Sequence, residues 1–174
     1  MKLGVIGYRN HSLKVIKYLL KKKYNLTVYC YKKVFDRVKS KSIKYTYDIN
    51  DLNKVDAVFI CSPSNTHFKY IKHFLSQKIY IFCEKPGIVN KYQINFISRL
   101  DQSYKNKIYI NYNYIHSNFF SFIKNEFEKK ENGRLLYIDV KSTHGLIFRK
   151  KFKNNWRNKQ KNNFRKTNFF LTQT

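Results

Sequence analysis

The sequence has few cysteines, few acidic residues and no long apolar run. Only 10 of its 174 residues are Asp or Glu, against 36 Lys or Arg, so its formal net charge is +26 at pH 7. No apolar stretch approaches the roughly 20 residues that cross a bilayer. The apolar start of the chain is too short for a signal peptide, because Arg9 and His11 follow it closely. The sequence therefore predicts neither a membrane span nor a secretory signal.

The three cysteines are Cys30, Cys61 and Cys83, and each lies in or beside an apolar run. A free thiol in such a setting behaves as a small hydrophobic side chain. Their number is odd, and neither they nor the histidines have the spacing of metal ligands. We therefore expect a reduced, cytoplasmic protein without a metal site.

The excess of positive charge raises the question of nucleic-acid binding, because clustered Lys and Arg neutralise phosphates. Here the lysines are spread along the whole chain. Lys, Asn, Ile, Tyr and Phe together make up more than half of the residues, and codons of A and T alone can encode all five. Genome composition therefore accounts for the lysine content without a DNA or RNA partner. We expect non-specific attraction to polyanions and no specific nucleic-acid function.

Short apolar runs alternate with helical patterns along residues 1–112. The first run is followed by Gly7 and then by Leu13, Ile16 and Leu20, which share one helix face. The predicted strands are 2–6, 26–31, 43–45, 56–61, 79–83 and 107–111. This alternation predicts an α/β fold with a Rossmann-type doubly wound parallel sheet.

The pattern changes in residues 113–174. A helical pattern covers about 117–130, strand-like residues run from 134 to 147, and little periodicity remains after 152. We therefore expect residues 1–112 to form one domain. Residues 113–174 would form the beginning of an incomplete α+β C-terminal domain.

A strand, a glycine turn and a helix open the chain, as they do in dinucleotide-binding βαβ units, where helix amides meet the pyrophosphate. Counted from Gly7, the second glycine position of the usual fingerprint holds Arg9 and the third holds Ser12. The second glycine normally lets the backbone approach the pyrophosphate. Arg9 either supplies a charge-assisted hydrogen bond in its place or weakens the site. The candidate cofactor-binding residues of this loop are Gly7, Tyr8, Arg9, Asn10 and His11.

The predicted second strand is followed by Lys32 and Lys33. An NAD site usually has Asp or Glu at this point, against the ribose hydroxyls, whereas basic side chains suit the 2′-phosphate of NADP. The two lysines therefore favour NADP over NAD as the cofactor. Alternatively, they are two of many solvated lysines and carry no such preference.

Two further strand ends carry polar residues. The strand at 56–61 is followed by Ser62, Pro63, Asn65, Thr66 and His67, of which Asn65 or Thr66 is a candidate helix N-cap. The strand at 79–83 is followed by Glu84-Lys85-Pro86. In an open α/β sheet, ligands bind outside the carboxyl ends of the strands. We therefore expect these two segments to line one crevice.

Three landmarks, in this order and spacing, resemble one family. They are Gly4-Val5-Ile6-Gly7, the segment from Pro63 to His67, and Glu84-Lys85-Pro86. The chain resembles the Gfo/Idh/MocA group of NAD(P)-dependent oxidoreductases, named after glucose–fructose oxidoreductase and inositol dehydrogenase. The resemblance covers residues 1–112 and continues more loosely through Gly133-Arg134 and Trp156-Arg157.

The resemblance implies an NAD(P)-binding Rossmann domain, followed by a domain that carries the substrate site and often the oligomer interface. It implies hydride exchange between a nicotinamide and a hydroxyl or carbonyl group of a small sugar-like substrate or cyclitol. Lys85 would be the catalytic residue beside the nicotinamide, with Glu84 helping to place it. His67 would contact the cofactor or its loop, or make only a capping bond. The other residues that would line the cofactor are Cys61, Ser62, Pro63 and Asn65.

The family's Gly-x-His-x-x-Asp segment, which supplies the general base, does not occur in these 174 residues. Because proton-transfer groups contribute about 10²–10⁴-fold to rates, we expect this chain alone to be impaired or inactive. We expect a truncated or frameshifted member, which would form homo-oligomers only with a complete C-terminal domain. The alternative is a non-catalytic nucleotide-binding remnant, or a protein kept for interactions of its basic surface.

Overall fold

A computed structural model describes residues 1–9, 11–33 and 37–129, together with Gly133, Arg134, Leu136, Tyr137 and Asp139. The chain divides into two compact units, Met1–Asn125 and Glu126–Thr174. Among the described residues, no helix is long and apolar enough to cross a membrane.

The first unit is built on a parallel sheet. In chain order, its strands are β1 (Lys2–Ile6), β2 (Asn25–Tyr29), β3 (Ile43–Thr46), β4 (Ala57–Ile60), β5 (Tyr80–Glu84) and β6 (Ile108–Asn111). Their spatial order is β3-β2-β1-β4-β5-β6, and every neighbouring pair is parallel. The predicted Rossmann-type doubly wound sheet is confirmed, and each predicted strand is present within a residue or two of its expected bounds.

Helices lie between most of the strands and after β6. In the described part of the chain the α-helices are α1 (His11–Lys21), α2 (Ser64–Ser76), α3 (Lys91–Ser98), α4 (Gln102–Lys105) and α5 (Asn118–Glu128), and short 3₁₀ helices cover Ile49–Leu52 and Asn113–His116. The start of α3 shows how the sequence sets a boundary, because the Asn90 side chain accepts the Gln93 N–H at 3.0 Å. The Gln93 side chain in turn accepts the Val89 N–H at 2.8 Å. This reciprocal pair satisfies N–H groups that a helix start otherwise leaves unbonded.

Each face of the sheet has its own core. Successive strand residues point to opposite faces, so Ile60 and Ile81 pack with Phe74 of α2, while Val28 packs with Ile16 of α1 on the other face. All five side chains are fully buried. Coverage of both faces explains why the central strand β1 reads as a continuous apolar run rather than as an alternating pattern.

Three aromatic rings, one each from β4, β5 and β6, stack in a row across these strands. Phe59 stacks on Phe82 with ring centroids 5.0 Å apart, and Phe82 stacks on Tyr109 at 5.1 Å. Phe82 and Tyr109 remain 37% and 48% exposed. The described residues therefore leave this part of the sheet face uncovered.

The helix expected at about 117–130 is present as α5. The strand expected at 134–147 and the tail after 152 lie largely or wholly outside the described residues. The division into domains at residues 112 and 113 stays a prediction.

Candidate cofactor site

The carboxyl ends of β1, β4 and β5 lie side by side, at the point where the strand order reverses. Gly7 follows β1, Cys61 and Ser62 follow β4, and Lys85 follows β5. A doubly wound sheet binds its ligand in the crevice outside such strand ends. The structure thus brings together the three segments that the sequence singled out.

Gly7 makes the turn from β1 into α1. Its φ is +106°, a backbone conformation that residues with a Cβ rarely adopt. Its N–H donates to the Tyr29 carbonyl at 3.0 Å, and a Cβ at Gly7 would lie 3.0 Å from the Cys61 carbonyl oxygen. Glycine therefore allows the loop after β1 to lie against the end of β4. This is the role of the first glycine in a dinucleotide-binding turn.

The loop after Gly7 is closed on itself by Ser12. The Arg9 N–H donates to Ser12 Oγ at 2.6 Å, and the Ser12 hydroxyl and N–H both donate to the Arg9 carbonyl, at 2.8 and 2.9 Å. Ser12 is fully buried, whereas the Arg9 side chain is exposed. The backbone N–H of Arg9 is therefore bonded within the protein. Asn10, the neighbouring candidate, lies outside the described residues.

Tyr8 turns away from the crevice. Its ring is buried edge-on against Tyr45, with centroids 5.5 Å apart, and its hydroxyl accepts the Val38 N–H. The side chain therefore belongs to the core beside α1. Cofactor binding by Tyr8 stays a prediction and would have to involve its main chain.

Lys32 and Lys33 are both exposed and lie three and four residues after Tyr29, the last residue of β2. In a dinucleotide-binding sheet, the end of the second strand is where the adenosine ribose is recognised. The two lysines thus lie slightly beyond that strand end, and their preference for a cofactor stays a prediction.

The segment after β4 enters α2 without a side-chain cap. The helix begins at Ser64, and its N-cap residue is Pro63. The Thr66 hydroxyl donates to the Pro63 carbonyl at 2.7 Å and lies 2.7 Å from the Ser62 hydroxyl. The predicted N-cap at Asn65 or Thr66 is wrong, because both residues lie inside the first turn. The N-terminus of α2 therefore keeps N–H groups that favour an anion.

The Glu84 carboxylate is held by two other elements. Its Oε1 lies 2.7 Å from Nε2 of His11, at the start of α1, and accepts from Nδ2 of Asn111, at the end of β6, at 2.6 Å. Within the described residues it makes no ion pair with Lys85. Glu84 therefore fixes the main chain just before Lys85 through its bonds to His11 and Asn111. Its help in placing the lysine stays a prediction.

Lys85 is exposed and, among the described residues, its ammonium has no hydrogen bond or ion pair. The Lys85–Pro86 peptide bond is cis. Gly87 then packs tightly on β6, because a Cβ at this position would lie 2.2 Å from Cδ1 of Ile110. The Lys85 side chain is thus available to a ligand, while the main chain on both sides of it is fixed.

His67 lies behind the crevice and is only 1% exposed. Its Nδ1 lies 2.9 Å from the Pro86 carbonyl oxygen, and its Nε2 lies 2.8 Å from the Ser62 carbonyl oxygen. Both ring nitrogens are therefore occupied by backbone groups of the protein. The ring therefore contacts the loop after β4, one of the predicted alternatives, and makes no helix cap. Its contact with the cofactor stays a prediction.

The two cysteines at the strand ends are poor nucleophiles. Burial, together with the nearby Glu84 carboxylate, raises the pKa of Cys61 to about 12. Burial, together with smaller contributions from the nearby Cys61 and Glu84, raises the pKa of Cys83 to about 12. Both therefore remain neutral thiols at pH 7. All three cysteines, including the buried Cys30, are free.

Sequence reasoning missed two residues of the site. Asn111 ends the predicted strand 107–111, so a polar side chain at a carboxyl strand end was the available signal. Ser12 was noticed as an occupant of the third glycine position, but the ring that it closes with Arg9 was not predicted. The Asn111–Glu84 contact follows from the register of β5 and β6, which pairs these two residues. The Ser12–Arg9 contact depends on the geometry of the loop before α1.

Comparison with known proteins identifies the family. Residues 1–112 match GFO_IDH_MocA, the oxidoreductase family with an NAD-binding Rossmann fold. The uncharacterized oxidoreductase YrbE of Bacillus subtilis is 47% identical over 51 residues, which are 27% of this chain and 15% of that protein. YgjR of Escherichia coli, another uncharacterized oxidoreductase, is 44% identical over 41 residues, which are 24% of this chain and 12% of that protein.

Solved structures agree on the fold. The myo-inositol 2-dehydrogenase of Lactobacillus plantarum superimposes with a TM-score of 0.59 at 14% identity, over 78% of this chain and 43% of that one. The WlbA dehydrogenase of Thermus thermophilus, in complex with NAD and UDP-GlcNAcA, gives a TM-score of 0.54 at 12% identity, over 72% and 46% of the two chains. The chain thus spans less than half the length of these matches. By its matched domain, the chain belongs to the Gfo/Idh/MocA family of oxidoreductases, whose Rossmann domain binds NAD(P).

Proposed function

We propose that this chain binds a nicotinamide dinucleotide at the ends of β1, β4 and β5, and that Lys85 acts there on the reacting oxygen of a sugar or cyclitol. The observation that carries the proposal is Lys85 itself, an exposed ammonium without a partner among the described residues. It stands between a carboxylate anchored by two elements and a glycine packed on β6. A cation fixed in this way can polarise a carbonyl or stabilise a developing alkoxide.

The residues present fit a dinucleotide. Gly7 provides the close turn at the end of β1, and the start of α2 has no side-chain cap. Helix N-termini of this kind favour phosphate groups. Arg9 adds an exposed guanidinium to the same loop. When bound, the cofactor would supply the hydride acceptor or donor, and the residues named here would hold it.

The substrate class is proposed from proteins of the same fold. Two of them are inositol dehydrogenases, and the WlbA structure contains UDP-GlcNAcA. Polyhydroxylated rings of this type present an alcohol that can be oxidised to a carbonyl. We therefore propose a sugar or cyclitol for the protein to which this domain belongs.

Titration of the full chain with NADH and NADPH, followed by nicotinamide fluorescence, tests the proposal. We expect saturable binding of at least one of the two, and weaker binding in the presence of excess ADP-ribose. Lys85→Met should weaken NADH binding, whereas Lys69→Met, which removes the same charge from an exposed position on α2, should leave it unchanged. Absence of binding by the wild-type chain would refute the cofactor assignment.

We also propose that the cofactor is NADP, since Lys32 and Lys33 stand just beyond the end of β2. NADPH should bind about threefold to tenfold more tightly than NADH, as expected for exposed ion pairs with one phosphate. The double change Lys32→Ser/Lys33→Ser should remove this difference. Lys21→Ser/Lys22→Ser removes the same charge at the C-terminal end of α1 and should preserve the difference between NADPH and NADH. Equal affinities in the wild-type chain would show that the two lysines do not read the 2′-phosphate.

A second candidate function is dinucleotide binding without turnover. It is favoured by the absence of a Gly-x-His-x-x-Asp segment from the 174 residues. Hydride transfer from an alcohol needs an acceptor for the hydroxyl proton, and general bases contribute about 10²–10⁴-fold. Reduction of NAD(P) by a panel of sugars and cyclitols separates the two candidates. Turnover by this chain would favour the enzyme, and binding alone would favour the second candidate.

A further inference from the structure

His67 joins two loops that the strand order brings together. One ring nitrogen faces the carbonyl of Ser62, just after β4, and the other faces the carbonyl of Pro86, just after β5, at 2.8 and 2.9 Å. The ring is 1% exposed. Neither carbonyl belongs to the ladder between the two strands, which ends at Ile60 and Cys83. The imidazole thus continues the connection between β4 and β5 beyond the point where backbone pairing stops.

The Pro86 carbonyl lies one residue after Lys85. On the other side of Lys85, the Glu84 carboxylate is bonded by His11 and Asn111. Two independent anchors therefore bracket the exposed lysine, and only the second of them depends on His67. We infer that His67 is a positioning residue, which fixes the main chain at Lys85 by bonding the loops after β4 and β5 together.

The chemistry of the ring suits this role. A protonated imidazole donates to both carbonyls, whereas a neutral one donates to a single carbonyl. Buried polar groups left without a partner are strongly unfavourable, and no buried side-chain nitrogen or oxygen lacks a partner in the described part of the chain. An apolar side chain of similar size would fill the space and leave both carbonyls unbonded. Packing and hydrogen bonding can therefore be separated by substitution.

The cysteines of the chain provide a measurement that needs no ligand. Cys61 precedes Ser62, and Cys83 lies three residues before Pro86, so local opening of either loop exposes a thiol. Cys30 is buried in the other core, beside α1, and serves as the internal control. N-ethylmaleimide labelling of the full chain, with peptide mass spectrometry, gives a rate for each thiol.

We expect His67→Leu to raise the labelling rates of Cys61 and Cys83 about tenfold, as loss of buried hydrogen bonds predicts, and to leave Cys30 unchanged. His67→Gln retains an N–H donor on a single nitrogen, so its rates should rise only about threefold. His73→Leu, on the same helix but bonded to Asn53, should match the wild-type chain. If His67→Leu does not fold, the comparison between His67→Gln and the wild-type chain decides the question.

Equal acceleration of all three cysteines would show a global loss of stability and overturn the inference. Unchanged rates in His67→Gln and His67→Leu would overturn it as well. If His67→Leu and His67→Gln accelerate labelling to the same extent, the effect is due to packing. That result would contradict a positioning role through hydrogen bonds.

A second readout connects the residue to the site and rests on the proposed function. Lys85 would lie at the nicotinamide end of the cofactor, so His67→Leu should weaken NADH binding about tenfold while ADP-ribose binding changes less than about twofold. Equal losses for the two ligands would contradict the positioning role. If the wild-type chain binds neither ligand, the proposed function is wrong, and the thiol rates still decide the role of His67.

Discussion

Replacement of Gly7 by Ala is expected to lower the free energy of unfolding by about 2–3 kcal/mol and to abolish dinucleotide binding. The backbone of Gly7 has a φ of +106°, which an alanine reaches only with strain. The added Cβ would also lie 3.0 Å from the Cys61 carbonyl oxygen and 3.3 Å from its carbon. These atoms belong to the main chain at the end of β4, so they cannot move aside without disturbing the sheet. Urea denaturation and NADH titration of the same preparation measure the two effects.

Gly4→Ala provides a matched control for this prediction. The Cβ of an alanine at this position would also come within 3.0 Å of a neighbour, but that neighbour is Cδ2 of Leu52, the end of a flexible side chain. Gly4 lies in β1 and has no positive φ. We expect a loss of less than about 1 kcal/mol, because only a small repacking is needed. Equal losses at the two positions would contradict the argument that backbone conformation decides the outcome at Gly7.

The sequence was most informative where one physical rule dominates. Apolar runs with helical segments between them predict a parallel sheet, because both faces of such a sheet must be covered. The strand ends then determine which polar residues share a crevice. Ser62 and Lys85 do follow the ends of two neighbouring strands, β4 and β5. None of this requires the positions of individual side-chain atoms.

The details that the sequence left open depend on such atoms. Glu84 is bonded by His11 and Asn111, which lie on two other elements and far away in sequence. Tyr8 was placed in the cofactor loop by its position, but its ring turns into the core and meets Tyr45. His67 was predicted to contact the cofactor or its loop, and only the structure shows that its ring faces the Ser62 and Pro86 carbonyls. Side-chain direction at a loop is set by the packing around it, which a linear pattern does not contain.

The loop between β1 and α1 differs from a glycine-rich turn in a way that should affect its affinity for a dinucleotide. In a glycine-rich turn, the backbone approaches the pyrophosphate and its N–H groups bind it. In this chain the Arg9 N–H already donates to Ser12 Oγ at 2.6 Å. We therefore propose that the exposed guanidinium of Arg9 supplies the phosphate contact that this backbone N–H does not. Guanidinium groups form charge-assisted and bidentate hydrogen bonds with phosphates.

Arg9→Ala is accordingly expected to weaken NADH binding about 10- to 100-fold, the range for hydrogen bonds to charged groups. Isothermal titration at two salt concentrations measures the change and its ionic part. Arg99→Ala, which removes an exposed arginine after α3, controls for the loss of one positive charge. An Arg9→Ala chain that binds as tightly as the Arg99→Ala chain would show that the guanidinium does not contact the phosphate.

Ser12→Ala tests the other half of the same argument. The change removes the hydroxyl that occupies the Arg9 N–H and leaves that donor free for a phosphate oxygen. Alanine is well tolerated near a helix start, so α1 should form as before. In the Arg9→Ala background, we expect Ser12→Ala to raise the affinity for NADH about threefold to tenfold, which is the contribution of one hydrogen bond from a neutral donor. If Ser12→Ala weakens binding in both backgrounds, the closed Arg9–Ser12 ring is itself part of the phosphate site, because the cofactor then depends on the loop shape that the hydroxyl maintains.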